Sequence, residues 1–182
     1  GTNVKDVPQS ELHRHLSYAP QKSAHLSGTI RENLAFADPS LSDDKLMAAA
    51  DAACAAGFIE EKGGLQAEVA QGGRNFSGGQ RQRLSIARAL AAKPSYVLFD
   101  DSFSALDFAT DAKVRKNLKE RFAGTTKVIV AQRISTVRDA DVIVVLDHGK
   151  MAGAGTHEEL LKTCPAYLEI AQSQMTQEEL AR

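Results

Sequence analysis

Little in this sequence ties it to a metal framework, a membrane interior or a polyanion. Only two of its 182 residues are cysteines. Cys54 and Cys164 stand far apart without Cys or His neighbours at metal-ligand spacing, which excludes a disulfide scaffold and a zinc module. No apolar run approaches the roughly 18 to 20 residues that cross a bilayer. The opening Gly1-Thr2-Asn3-Val4-Lys5 has neither the basic region nor the apolar core of a signal peptide, so a reducing, cytosolic setting is expected. An excess of charge is missing too: 22 Lys and Arg stand against 23 Asp and Glu, a formal net charge of -1, so no overall field draws the chain to nucleic acid or anionic lipid. There is no internal repeat, low-complexity segment or flexible linker. The phosphate-cradling pattern G-x-x-x-x-G-K-[ST] is also absent, since Gly63-Gly64 and Gly72-Gly73 lack the Lys-Ser/Thr that would complete it.

What is present is a core-forming chain with 43% hydrophobic residues, enough to fill one domain. Leu16-Ser17-Tyr18-Ala19 reads as a strand ending at Pro20-Gln21. From Ser42 to Ala56 a helix is expected, with Ser42 and Asp43 at its start, Leu46, Met47, Ala50, Ala53 and Cys54 at helical spacing, and Gly57 as the stop. Gly72-Gly73 and Gly78-Gly79 bracket a short loop. It opens onto a helix from Gln80 to Ala92, with Leu84, Ala87 and Ala91 on one face. Three β-branched apolar runs follow: Tyr96 to Phe99, Lys127 to Ala131 and Val142 to Leu146. With a helical pattern from Thr110 to Phe122 between the first two, all three read as buried parallel strands with crossover helices. His148-Gly149-Lys150 reads as a tight turn between strands, Thr156 with Glu159 as a capping box for a helix through Leu161, and the tail after Gln172 as a further helix.

The most specific stretch is Asn75-Phe76-Ser77-Gly78-Gly79-Gln80-Arg81-Gln82-Arg83-Leu84. Ser77 and two glycines at a helix N-terminus leave backbone N–H groups accessible where the helix dipole favours phosphate oxygens. Shortly beyond this helix, Tyr96-Val97-Leu98-Phe99-Asp100-Asp101 is an apolar strand ending in two acids, the chemistry that supports Mg²⁺ beside a phosphate. The segments Tyr18-Ala19-Pro20-Gln21 and Ser104-Ala105-Leu106-Asp107 complete the set. Arg81, Arg83 and Arg88 form a local basic patch on the helix, read as a solvated, salt-bridged face rather than a nucleic-acid site. The five histidines have no metal-binding arrangement; His13 and His15, two apart, do not share a helix face.

Together these stretches resemble the nucleotide-binding domain of ABC (ATP-binding cassette) transporters, and the resemblance covers nearly the whole chain. Ser77, Gly78, Gly79 and Gln80 match the family signature LSGGQ, with Phe76 in place of its Leu. In the family that motif closes over ATP held by an opposite domain, so the resemblance implies a dimer, homo- or heteromeric. Asp100 matches the Walker B acid that supports Mg²⁺, Gln21 the Q-loop glutamine that reaches the metal and γ-phosphate, and Asp107 the D-loop residue at the dimer interface. Ala67 to Gly73 resembles, with departures, the exporter-type loop that touches the membrane domain.

Two positions depart from the family at its chemistry. Asp101 stands where active members have a glutamate that polarises the attacking water, and is about 1.5 Å shorter. Gln132 stands at the switch histidine, and a glutamine hydrogen-bonds but does not titrate near neutral pH. Either residue taken alone also reads as a polar group ending or following a strand. As a pair they resemble the degenerate half of a heterodimeric exporter. By the same comparison, Gly1 to Val4 aligns just after the Walker A helix, so the phosphate loop and the adenine-stacking aromatic are expected upstream. A sheet without that helix is expected to bare an apolar face and to self-associate.

The expectation is therefore an α/β, P-loop NTPase-like fold with a mostly parallel sheet flanked by helices. It is divided into residues 1–21 (strand and Q-loop), 22–90 (helical signature subdomain) and 91–182 (Walker B, D-loop, switch and C-terminal helices) of one partial domain. ATP and Mg²⁺ are the expected cofactors. The expected partners are a second nucleotide-binding domain and transmembrane domains at the cytoplasmic face of the membrane, with no nucleic acid. Two other readings stand beside this one. The first is a non-catalytic partner that lends its signature to another subunit. The second is a soluble ABC ATPase acting on nucleic acid or ribosomes, which the lack of a long coiled coil or basic surface disfavours.

Overall fold

The computed structural model describes residues 2–176. The chain divides into two compact units, Gly1–Val130 and Ala131–Arg182.

The first unit is built on a parallel sheet with the order β1-β4-β5, comprising β1 (Leu16–Ala19), β4 (Tyr96–Asp100) and β5 (Thr126–Val130). Register pairs Tyr18 with Leu98 and Ala19 with Phe99, then Leu98 with Val128. Side chains alternate across a strand, so Ala19, Val97 and Phe99 share the buried face. Against that face packs α5 (Gly78–Ala91), whose Leu84, Ile86, Ala87 and Leu90 are fully buried. On its other flank α5 meets α3 (Asp43–Ala52), where Ala49, Ala50 and Ala52 let two helices approach closely. The unit also contains α1 (Gln9–His15), which leads into β1, and α2 (Ile30–Leu34) and α4 (Ala56–Glu61), with a two-residue antiparallel pair, β2 (Gly28–Thr29) and β3 (Glu68–Val69). Helix α6 (Phe108–Arg121) follows β4 and leads to β5.

The opposite face of the sheet is bare. Leu16, Tyr18, Tyr96, Val128 and Val130 are each 41 to 54% exposed. A bare apolar face of this kind was expected from the sequence.

The second unit consists of α7 (Ile134–Val137), the hairpin β6 (Ile143–Asp147) and β7 (Lys150–Gly155), α8 (His157–Thr163) and α9 (Pro165–Gln174) around Ile143, Val145, Leu160, Tyr167 and Ala171. Its turn has positive φ at His148 and Gly149, the conformation of a primed two-residue hairpin. Gly153 is required by close approach, because a Cβ there would lie 3.1 Å from Cys164 Sγ and Leu160 Cδ2. Thr156 and Glu159 form the expected capping box. The last part of the tail expected to be helical, residues 177–182, lies outside the described residues.

Two expectations about elements are corrected. The run Val142 to Leu146 does not join the parallel sheet; as β6 it pairs antiparallel with β7 across the tight turn. The helix expected from Ser42 to Ala56 ends at Ala52. Cys54 takes a left-handed φ of 56°, and Gly57, instead of stopping a helix, lies inside α4. Carbonyl groups left open at this break are taken up elsewhere: Arg83 donates to Cys54 O at 2.7 Å and Asn117 to Ala52 O at 3.1 Å.

Candidate functional site

Parallel β1 and β4 end on the same side of the sheet, and the register places Pro20-Gln21 beside Asp100-Asp101. The buried hydroxyl of Ser102 donates to Ala19 O at 2.7 Å, tying the two strand ends together. Around this tie, Tyr18 donates from its hydroxyl to Asp100 Oδ2 at 2.8 Å, and Gln21 Nε2 donates to Asp101 Oδ2 at 3.1 Å. Acceptance by Asp100 raises the Tyr18 pKa above its ordinary value, so the phenol stays a donor through the neutral range.

Asp101 has a left-handed φ of 46°, which short polar residues tolerate better than most. Its N–H donates to Val130 O at 2.9 Å, and its carbonyl accepts from Ser104 N–H and from Ser104 Oγ at 2.9 Å. The chain turns sharply there and leads by Ser104 and Leu106 to Asp107. Asp107 is the N-cap of α6, accepting from Thr110 N–H at 2.9 Å and Thr110 Oγ1 at 2.7 Å. The Thr110 backbone and side-chain hydrogen bonds lower the Asp107 pKa.

The signature segment is built around the start of α5. Ser77 is the N-cap: its hydroxyl accepts from Gln80 N–H at 3.2 Å while Gln80 Oε1 accepts from Ser77 N–H at 2.9 Å, a complete capping box. Gly78 and Gly79 fill the first turn, where backbone N–H groups have no intrahelical acceptor. A Cβ on Gly78 would project into open space, and one on Gly79 would crowd Ala105 O at 3.3 Å. Phe76, the departure from the signature's Leu, is 4% exposed and packs edge-on against Phe58 with ring centroids 6.1 Å apart.

The arginines after the signature form neither a basic patch nor a salt-bridged face, which corrects the expectation. They are half-buried and serve carbonyl groups. Arg81 donates to Phe76 O at 2.6 Å, Arg83 to Cys54 O and Gly79 O, and Arg88 to Ala24 O at 2.8 Å. His25 is buried between them. Its Nε2–H donates to Arg81 O at 2.9 Å and its Nδ1 accepts from Arg88 at 2.9 Å, which fixes the neutral tautomer. Burial first, and the Arg88 charge second, lower its pKa to about 4. Gln82 adds a bond from its Nε2 to Pro20 O at 3.4 Å and accepts from Ser23 Oγ at 3.2 Å. The segment that leaves Gln21 is thus fastened along α5.

Gln132 belongs to the second unit, where it is exposed and its backbone carbonyl accepts from Gln174 Nε2 at 2.8 Å. Ala67 to Gly73 contains β3 and a 3-10 turn.

No group of three or more His, Cys, Asp or Glu among the described residues is placed to hold a metal ion. Mg²⁺ does not need one, because it keeps several waters and takes one or two carboxylates alongside substrate phosphates. The carboxylate of Asp100 and the amide oxygen of Gln21, expected from the sequence to support the metal, are oxygen donors of the kind such a site uses. Gln21 presents its nitrogen to Asp101, which leaves its oxygen as the end suited to a cation.

The family model described as ABC transporter matches residues 1–104, more than half of the chain. The chain belongs to the ABC transporter family. Over 177 residues it is 45% identical to an uncharacterized ABC transporter ATP-binding protein of Mycobacterium tuberculosis, covering 96% of this chain and 30% of the relative. It is 39% identical over 163 residues to the ATP-dependent lipid A-core flippase of Desulfotalea psychrophila, covering 89% of this chain and 28% of that protein. A solved structure of a bacterial Atm1-family ABC exporter with ATP bound is similar with a TM-score of 0.89 and 34% identity, over 97% of this chain and 31% of that one. The chain thus spans about a third of the length of the proteins it matches. Its α/β fold, a parallel sheet flanked by helices, is that of an ABC exporter's nucleotide-binding domain. No helix among the described residues is long and apolar enough to cross a membrane.

Proposed function

We propose that this chain is part of the ATP-binding domain of an ABC exporter, working at the cytoplasmic face of a membrane with transmembrane domains and a second nucleotide-binding domain. Bound MgATP supplies the phosphoanhydride whose hydrolysis separates the two domains. Gly78 and Gly79, presented by the Ser77 cap, offer backbone donors to the phosphates of the opposite domain's nucleotide. Asp100 and Gln21 support the metal on this domain's own side, and Asp107 fixes the D-loop by capping α6.

The observation that carries the reading is an intact, fully capped signature on the same chain as Asp101 and Gln132. Asp101 is short for positioning water, and Gln132 cannot take up a proton near neutral pH. This pairing fits one half of a heterodimer whose own site hydrolyses poorly while its signature serves the partner's site. It equally favours the second reading, a partner that binds ATP and lends its signature without turning ATP over.

The test is the Asp101→Glu, Gln132→His double variant in the full-length protein. A large gain in the turnover of this domain's own site supports a degenerate site that retains the rest of its machinery. No gain contradicts it and leaves the non-catalytic partner. The chain as it stands has no G-x-x-x-x-G-K-[ST] cradle and is expected to bind no ATP at micromolar concentration. Binding by a version that includes such a segment, and not by this chain, is the expected result of a titration with Mg²⁺.

A further inference from the structure

We propose that Tyr18 is a positioning residue for the metal-supporting carboxylate: its hydroxyl fixes one oxygen of Asp100 and so leaves the other presented for the Mg²⁺ or one of its waters. The proposal rests on the reading of Asp100 given above.

The placement follows from the sheet. Tyr18 is paired with Leu98, so Asp100, two residues further along β4, is its diagonal neighbour on the same face. Diagonal neighbours on adjacent strands lie within reach of an aromatic side chain. The ring of Tyr18 lies on the bare side of the sheet, and its hydroxyl reaches Asp100 Oδ2 at 2.8 Å, a normal O–H to carboxylate length. A phenylalanine would fill the same strand position with the same ring but could not make this bond. The sheet also holds both ends of the pair. Ala19 follows Tyr18 and is fully buried, with its carbonyl tied to Ser102, while Phe99 precedes Asp100 and is fully buried against Phe103. Tyr18 and Asp100 therefore project from two backbones that cannot shift independently.

A carboxylate with one oxygen held is restricted in its rotation about the bond to Cβ. It then loses less freedom when the other oxygen meets a metal or a metal-bound water. Groups that hydrogen-bond metal-ligating carboxylates contribute to affinity through this orientation, and their removal typically costs about 10- to 100-fold. Because Tyr18 is half exposed, the lower end of that range applies.

The test uses the full-length protein loaded with a non-hydrolysable ATP analogue and titrated with Mn²⁺, the free ion being followed by electron paramagnetic resonance. Tyr18→Phe is compared with Asp100→Asn, and each variant's melting temperature and metal-free nucleotide affinity are measured alongside. The expected result is Mn²⁺ affinity about tenfold weaker in Tyr18→Phe, a larger loss in Asp100→Asn, and unchanged melting and metal-free nucleotide binding in Tyr18→Phe. Unchanged or tighter Mn²⁺ binding in Tyr18→Phe, with a loss in Asp100→Asn, overturns the role of Tyr18 alone. Unchanged Mn²⁺ binding in both variants overturns the metal role of Asp100 and the proposal with it. An equal loss of metal-free nucleotide affinity in Tyr18→Phe shows a structural role and also overturns it.

Discussion

At the start of α5, Ser77 and Gln80 satisfy each other, Phe76 is sealed against Phe58, and Arg81 and Arg83 are spent on carbonyls of the neighbouring loops. At the ends of β1 and β4 the carboxylates of Asp100 and Asp101 sit at an accessible surface, held by side-chain hydrogen bonds from Tyr18 and Gln21. The first region owes its shape to packing and capping, so its presentation of backbone N–H groups is built into the fold. The second has its backbone fixed by the sheet and its chemistry left to a few exchangeable side chains. Substitutions at Asp101 can therefore accumulate without loss of structure, whereas in the signature segment Phe76 is held by packing on Phe58 and Gly79 by the close approach of Ala105 O.

That contrast predicts an order of effects. The largest is Phe76→Ala, expected to cost about 3 to 5 kcal/mol by loss of a buried aromatic, against less than about 1.5 kcal/mol for Phe76→Leu. Urea unfolding of the isolated chain measures both, and equal costs for the two would show that Phe76 is not a packing residue. Next is pH. His25 is neutral when folded, with a pKa lowered to about 4, while the unfolded chain takes up its proton near the ordinary value. The unfolded state therefore binds more protons below about pH 6.5, and stability falls with pH down to about 4, by roughly 3 kcal/mol in all. Unfolding free energies across that window should lose most of this slope in His25→Gln; an unchanged slope would mean another group carries it. Smaller than these is Ser77→Ala, expected to cost about 1 kcal/mol of stability through loss of the cap. By contrast Asp101→Asn, at the accessible strand end, should change thermal stability by less than about 0.5 kcal/mol.

Much of this was legible in the residues. The strand before Pro20-Gln21, the run Tyr96 to Asp100, the helix opened by Gly78-Gly79 and the turn at His148-Gly149 each combine periodicity with a local stop or cap. What stayed hidden depends on long-range partners. Val142 to Leu146 has the composition of a parallel strand, and only its pairing with β7 shows otherwise. The alanine-rich run to Ala56 reads as continuous helix because each residue favours one. The break at Cys54 is held by distant donors, Arg83 and Asn117. Tyr18 looked like one more apolar strand residue; counting two along β4 from its register partner would have placed it beside Asp100. The arginines read as a solvated face because the backbone carbonyls they serve are not encoded by side-chain type.

The contrast between the two regions is tested most directly by steady-state ATP turnover of the full-length assembly carrying either Ser77→Arg or Asp101→Asn. If the signature completes a partner's working site while this chain's own acid does little, Ser77→Arg lowers turnover by about 100-fold and Asp101→Asn by less than about twofold. A working general base would cost at least about 100-fold on removal. The reverse pattern, with Asp101→Asn abolishing turnover and Ser77→Arg leaving it intact, would contradict the account.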